Sequence, residues 1–122
     1  TFGPISIHPD FQGQGYGAQL LEASMERAKQ MGAGALCIEG NPAYYGRFGF
    51  AAASARGIRC QGTPAEDPAP YFLYKELVEG YLEGCAGVYH TPEGYFVEEE
   101  AVERFDQTFP PKKKETLPGQ LF

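Results

Sequence analysis

From Ala18 to Met31 the apolar side chains recur at helical spacing: Leu21, Met25, Ala28 and then Met31 or Gly32, with Leu20 and Ser24 beside them. Glu22, Glu26, Arg27 and Lys29 take the other side, so this segment predicts an amphipathic helix with one face on a core. Gly32 and Gly34 supply its stop. Ahead of it, Ile5-Ser6-Ile7 reads as a short strand ended by His8-Pro9-Asp10. Behind it, Leu36-Cys37-Ile38-Glu39 reads as a buried strand. Strand, helix and strand in that order predict a parallel pair with a right-handed crossover. Asn41 as cap and Pro42 at the first helical position predict a second, short helix that runs to Phe48 and closes at Gly49.

The later chain is more broken. Ala51 to Cys60 predicts a strand weakened by Gly57, and Gln61 to Pro70 is a loop of Gly, Pro and acids. Tyr71 to Val78, rich in aromatic and apolar residues, is the best late strand. Gly80, Gly84 and Gly87 then punctuate a segment expected to turn back as a hairpin through Val88 and Tyr89. Glu98, Glu99 and Glu100 ahead of Val102 and Phe105 predict a last short helix, with its acids at the favourable N-terminal end. From Phe109 the tail, with Pro110-Pro111 and Lys112-Lys113-Lys114, has no period and is expected to run extended. Together these elements predict an α/β (α+β) fold with a mixed, partly parallel sheet flanked by helices. Residues 1–78 are expected to hold that fold, with 79–122 as a C-terminal extension packing on it. The chain opens at Thr1 in a strand already under way, so further N-terminal strands and helices are expected before it.

Composition changes this picture in three respects. At 122 residues and 43% apolar side chains the chain suits one compact domain with a real core. Its net charge of −6, from 10 basic and 16 acidic residues, argues against nucleic acid or an anionic membrane as partner. The same charge favours a cationic amine as substrate. Cys37, Cys60 and Cys85 are odd in number and widely spaced, and His8 and His90 are far apart, which excludes a disulfide framework or a zinc motif. Reduced thiols fit a cytoplasmic location. Cys37 falls in a buried strand pattern as a small hydrophobe, and Cys85 sits among glycines.

One segment carries chemistry. Gln12-Gly13-Gln14-Gly15-Tyr16-Gly17 lies between a predicted strand and the start of the long helix. A helix N-terminus exposes unpaired N–H groups and a partial positive charge. Gly15 and Gly17 remove the Cβ atoms that would hold a pyrophosphate off the backbone. A site of this kind uses backbone dipoles and does not need a basic protein. Glycines 13, 15 and 17 alternate, which departs from the dinucleotide spacing, and no Gly-Lys-Ser/Thr ending is present for a nucleoside-triphosphate loop. Taken alone, the six residues also fit a bare glycine-rich turn.

Gln12, Gly15 and Gly17 match the pattern (Gln/Arg)-x-x-Gly-x-(Gly/Ala), and this stretch resembles the coenzyme A pyrophosphate loop of the GNAT superfamily of acyl-CoA-dependent N-acyltransferases. Asn41-Pro42-Ala43-Tyr44-Tyr45-Gly46-Arg47-Phe48-Gly49-Phe50 resembles the next signature of that family, with Tyr45 five residues before Phe50. The resemblance covers residues 2 to about 78 and implies a GNAT-like fold and an acetyl-CoA cosubstrate. It implies that Ser6 and Ile7 bond the pantetheine through their backbone. It places Gln12, Gly13, Gln14, Gly15, Tyr16 and Gly17 around the pyrophosphate, with Asn41 on the pantetheine side, although Asn41 lies closer to the tyrosine than the common pattern.

The chemistry implied is attack of an amine on the thioester carbonyl, an oxyanion stabilised by an N–H near Ile7, and Tyr45 as general acid toward the departing thiolate. Packing is the other role open to Tyr45. Asp10, Glu39 and His8 lie in the region but fit turn or surface roles better than a general base. Tyr44, Arg47 and Phe48 read as packing and helix surface. Expected partners are an amine acceptor, small-molecule or peptide, and a second chain paired through the open sheet edge, as in a homo-oligomer. The alternative function is a non-catalytic acyl-CoA-binding regulatory or structural module.

Overall fold

The computed structural model of the chain describes residues 1–113, 115 and 116. Lys114 and the last tail residues lie outside the described residues, so the expectation of an extended tail is met with structure only in part. The expected long helix is α1, Tyr16–Gln30. It is followed by strand β1 (Ala35–Glu39) and helix α2 (Pro42–Tyr45), which continues as a 3-10 turn over Gly46–Phe48. Then come β2 (Ala51–Ala52), a 3-10 turn over Ala53–Arg56, β3 (Ile58–Cys60), β4 (Phe72–Glu76), β5 (Gly87–Tyr89) and helix α3 (Glu99–Asp106).

The main sheet has the order β1-β4-β2, and both of its pairings are antiparallel. Ile38 stands opposite Leu73 and Cys37 opposite Tyr74. Because side chains alternate across a sheet, neighbouring residues of β4 serve two cores. Leu73 joins Leu21, Leu36, Ile38 and Phe50 on the face covered by α1. Phe72 joins Ala53 and Ala69 on the opposite face. Leu21, Met25 and Ala28 are the residues by which α1 contacts the sheet, as the period predicts. Met31 departs from that stripe and is 74% exposed, because the helix ends at Gln30 and Met31 is already its C-cap.

Several local expectations are corrected. Ile5-Ser6-Ile7 forms no ladder with any described residue, and the parallel pair expected between it and β1 is not made. An extended segment becomes a strand only when a neighbour takes its N–H and C=O groups, and among the described residues β1 forms its ladder with β4 alone. The predicted strand from Ala51 to Cys60 is two strands separated by a turn, since Gly57 sits at φ 70 and Ala53 is fully buried beneath the turn. The expected hairpin around Val88 is also absent. β5 instead runs parallel to β3, with Val88 opposite Arg59, and this pair supplies the parallel part of a mixed α/β fold. Further ties join the later chain to the earlier: Tyr95 Oη donates to Gly3 O at 2.8 Å, and the Leu82 amide donates to Glu76 Oε1 at 2.8 Å.

The second helix begins as its sequence dictates. Asn41 is extended, its Oδ1 accepts the Ala43 amide at 2.9 Å, and Pro42 follows at a position where a missing N–H costs nothing. Gly49, at φ 83, ends the following turn. Asn41→Ala is expected to lower stability by about 0.5–2 kcal/mol, while Asn41→Ser retains most of the cap. Urea unfolding of the two variants measures both values.

Candidate functional site

The glycine-rich loop is held from both ends. Gln12 Nε2 donates to Ile7 O at 2.9 Å and Gln14 Nε2 donates to Asp10 O at 3.2 Å, folding the chain back over a 3-10 turn at Pro9–Phe11. Gly13 at φ 72 and Gly15 at φ 84 occupy the left-handed region that the reversal demands and side chains resist. Gly15 is the N-cap of α1 and brings no side chain to satisfy the helix. The amides of Gln14, Gly15, Tyr16 and Gly17 therefore donate to no acceptor among the described residues. Four donors at the positive end of a 15-residue helix face the same loop.

Two neighbouring clefts open from this point. One, of about 360 Å³, is bounded by Ile7, Gln12, Gly13, Gly15, Tyr44 and Arg47. The other, of about 800 Å³, runs past Ser6, Ile7, Gly17, Leu21 and Tyr44 to Tyr45. Gly17 keeps the clefts open, since a Cβ there would stand 3.0 Å from Tyr44 Oη and 3.7 Å from Ile7 Cγ1. The Ile7 amide is also free of acceptors among the described residues, although its carbonyl holds Gln12.

Tyr45 is half-buried and its ring is fixed by aromatic neighbours. Its centroid lies 5.0 Å from that of Tyr44 and 5.7 Å from that of Phe50, both at steep angles. Burial, reinforced by the neighbouring Tyr44, raises its pKa above the ordinary tyrosine value. Tyr45 also borders a third cavity, of about 610 Å³, on whose wall stand Phe2, Glu39, Phe72 and Tyr95. Of the other candidates, Asn41 commits its Oδ1 to the α2 cap. Asp10 and His8 form an exposed turn pair at 3.7 Å. Burial pushes the Cys37 and Cys60 thiols up, the latter helped by Glu39, so neither is a ready nucleophile.

Residues 2–52 match the family model of the acetyltransferase (GNAT) domain. The N-acetyltransferase YhbS of Escherichia coli K12 is 30% identical over 89 residues, which make up 71% of this chain and 52% of YhbS. YjhQ, another N-acetyltransferase of the same strain, is 31% identical over 67 residues, or 55% of this chain and 35% of YjhQ. The crystal structure of the GNAT family N-acetyltransferase YhbS from E. coli in complex with CoA superposes with a TM-score of 0.67 at 28% identity, covering 76% of this chain and 50% of that one. Residues 2–52 carry the GNAT acetyltransferase domain match, and the chain has the GNAT N-acetyltransferase fold. It spans about half the length of YhbS and about a third of that of YjhQ.

Within this chain, three residues beyond those expected from sequence shape the site. Tyr44 stands between the loop and Tyr45, Arg47 lies over the Tyr44 ring, and Gly40 makes room for Tyr45. The i to i+3 spacing of Tyr44 and Arg47 is legible in sequence, but which side of so short a helix meets the loop is not. Gly40 is buried at the end of β1, and a Cβ there would overlap the Tyr45 ring. Gly40→Ala must therefore displace that ring. It is expected to lower stability by about 1–3 kcal/mol through overpacking, which urea unfolding measures.

Proposed function

We propose that this chain supplies the acyl-CoA site and the general acid of an N-acetyltransferase that moves an acetyl group from acetyl-CoA to an amine. The observation that carries this is the run of four amides at the α1 terminus that have no acceptor among the described residues, beside a cleft lined by Tyr45. YhbS, which shares the fold, is in complex with CoA. The residues present fit such a ligand. Gln14, Gly15, Tyr16 and Gly17 would take the pyrophosphate oxygens on N–H donors, with Gln12 and Gly13 holding the loop in shape. Ser6 and Ile7 would bond the pantetheine arm along their extended backbone.

When bound, acetyl-CoA supplies the activated acyl group as a thioester. The Ile7 N–H, free of acceptors among the described residues, would donate to a developing oxyanion. Tyr45, with its raised pKa, keeps its proton through the neutral range. Tyr45 would give that proton to the sulfur as the C–S bond breaks, and the attacking amine would lose its own proton to solvent. The cavity on the far side of Tyr45, with Glu39 among aromatic walls, is the proposed place of the acceptor amine, and its chemistry favours a cation.

β1 has a strand on one side only among the described residues, so its other edge is where a further strand or a second chain would add. No helix of the described residues is long and apolar enough to cross a membrane. A cytoplasmic site of action, where acetyl-CoA is made and the thiols stay reduced, goes with this proposal. The test is incubation with acetyl-CoA and a panel of primary amines, following release of free thiol. Amine-dependent release supports an enzyme. Binding of acetyl-CoA with no release on any amine would instead support a non-catalytic acyl-CoA-binding module.

A further inference from the structure

One charged residue of the main sheet stands where the pattern calls for an apolar one. Lys75 lies opposite Leu36 in the β1–β4 ladder and alternates with Leu73, so its side chain leaves β4 on the face that α1 covers. It is half-buried there, and a lysine on a core face needs a partner for its ammonium group. Glu22 and Glu26 of α1 border the same groove, yet Lys75 makes no ion pair among the described residues. Its Nζ instead crosses to the turn after α2 and donates to Phe48 O. Gly49 keeps that approach open, because a Cβ there would stand 2.7 Å from Nζ. Neighbouring carbonyls are taken within the turn, Tyr45 O by the Phe50 amide at 3.3 Å and Gly46 O by the Gly49 amide at 3.1 Å. The short helix that carries Tyr45 is therefore tied at both ends, by the Asn41 cap at its start and by Lys75 at the last carbonyl of the turn.

We propose that Lys75 is a positioning residue, whose ammonium group ties the turn after α2 to β4 and so holds the Tyr45 hydroxyl at the cleft. The inference rests on the reading of Tyr45 as general acid. Tyr45 lies between the two ties, and its ring rests on Phe50 just beyond the second. Release of that tie would let the turn move away from the sheet and carry the ring with it. A shift of about 1 Å near the chemistry can cost about 100-fold in rate.

The experiment compares wild type, Lys75→Met, Lys75→Arg, Tyr45→Phe and the double variant Tyr45→Phe/Lys75→Met. Two quantities are read: hydrogen exchange of the Gly49 and Phe50 amides without ligand, and kcat with acetyl-CoA and the best amine of the panel above. Met keeps the stem that covers the core and loses the donor, so Lys75→Met should fold, which urea unfolding checks. It is expected to speed exchange of both amides by about 10-fold or more, the range of a lost charge-assisted bond, and to lower kcat by about 10- to 100-fold. Lys75→Arg, which can still donate to a carbonyl, should recover part of both. With Tyr45→Phe already in place, Lys75→Met should lower kcat by less than about twofold, because no acid is left to misplace. Equal falls in kcat in the two backgrounds, or exchange unchanged by Lys75→Met, would overturn the proposal. Should Lys75→Met not fold, Lys75→Gln, one atom shorter, is read by the same criteria. A Tyr45→Phe kcat equal to that of wild type would remove the general-acid reading itself, and the inference with it.

Discussion

Tyr45→Phe is expected to lower kcat by about 100-fold or more, the lower part of the range for a positioned acid, with little change in acetyl-CoA affinity. The substitution deletes one oxygen and keeps the ring. The contacts to Tyr44 and Phe50 that hold α2 in place therefore survive, and the fold should not change. The raised pKa carries a second consequence. Because burial lifts the phenol above its ordinary value, the active, protonated form persists as pH rises through the neutral range. Any loss of kcat that belongs to Tyr45 therefore lies on the alkaline side, beyond the ordinary tyrosine range, and the Phe variant should lack it. A kcat within twofold of wild type would leave Tyr45 as packing only.

Leu73→Ala is expected to cost about 2–5 kcal/mol, a large part of the roughly 5–15 kcal/mol that a domain of this kind holds in total. Leu73 is fully buried at the centre of the main sheet, with Ile38 opposite it and Leu21 of α1 against it. Truncation leaves a cavity between helix and sheet that neither can close without moving the other. Leu73→Met, close in volume, should cost less than about 1.5 kcal/mol. Urea unfolding decides between them, and a loss under 1 kcal/mol for the Ala variant would place the core elsewhere. Since α1 rests on this layer and carries the loop at its N-terminus, the core also fixes where the four free amides point.

Much of this was legible in the residues because the signals were local. The period of Leu21, Met25 and Ala28 predicted both the helix and its buried face. The Asn41-Pro42 pair predicted the start of α2, and the alternating glycines predicted a tight loop ahead of α1. What the residues did not disclose depends on partners distant in sequence. Ile5 to Ile7 has strand composition but no ladder, because pairing is a property of two segments. Val88 and Tyr89 looked like half of a hairpin and instead found β3, nearly thirty residues upstream. The place of Arg47 was hidden for the same reason. Its spacing put it on a helix surface, and only the packing of α2 against the α1 terminus turned that surface toward the loop. Gly40 gave no signal in the sequence, while its lack of a side chain makes room for the Tyr45 ring five residues later.

The central claim is that the loop from Gln12 to Gly17 holds the pyrophosphate of an acyl-CoA. Calorimetric titration of the protein with acetyl-CoA, with NAD and ATP as controls, tests it most directly, and Gly17→Val serves as the variant that fills the space beside Tyr44. Saturable binding of acetyl-CoA alone, lost on Gly17→Val, is the predicted result. Absence of acetyl-CoA binding, or equal binding of all three nucleotides, would contradict it and leave the loop a bare turn before a helix.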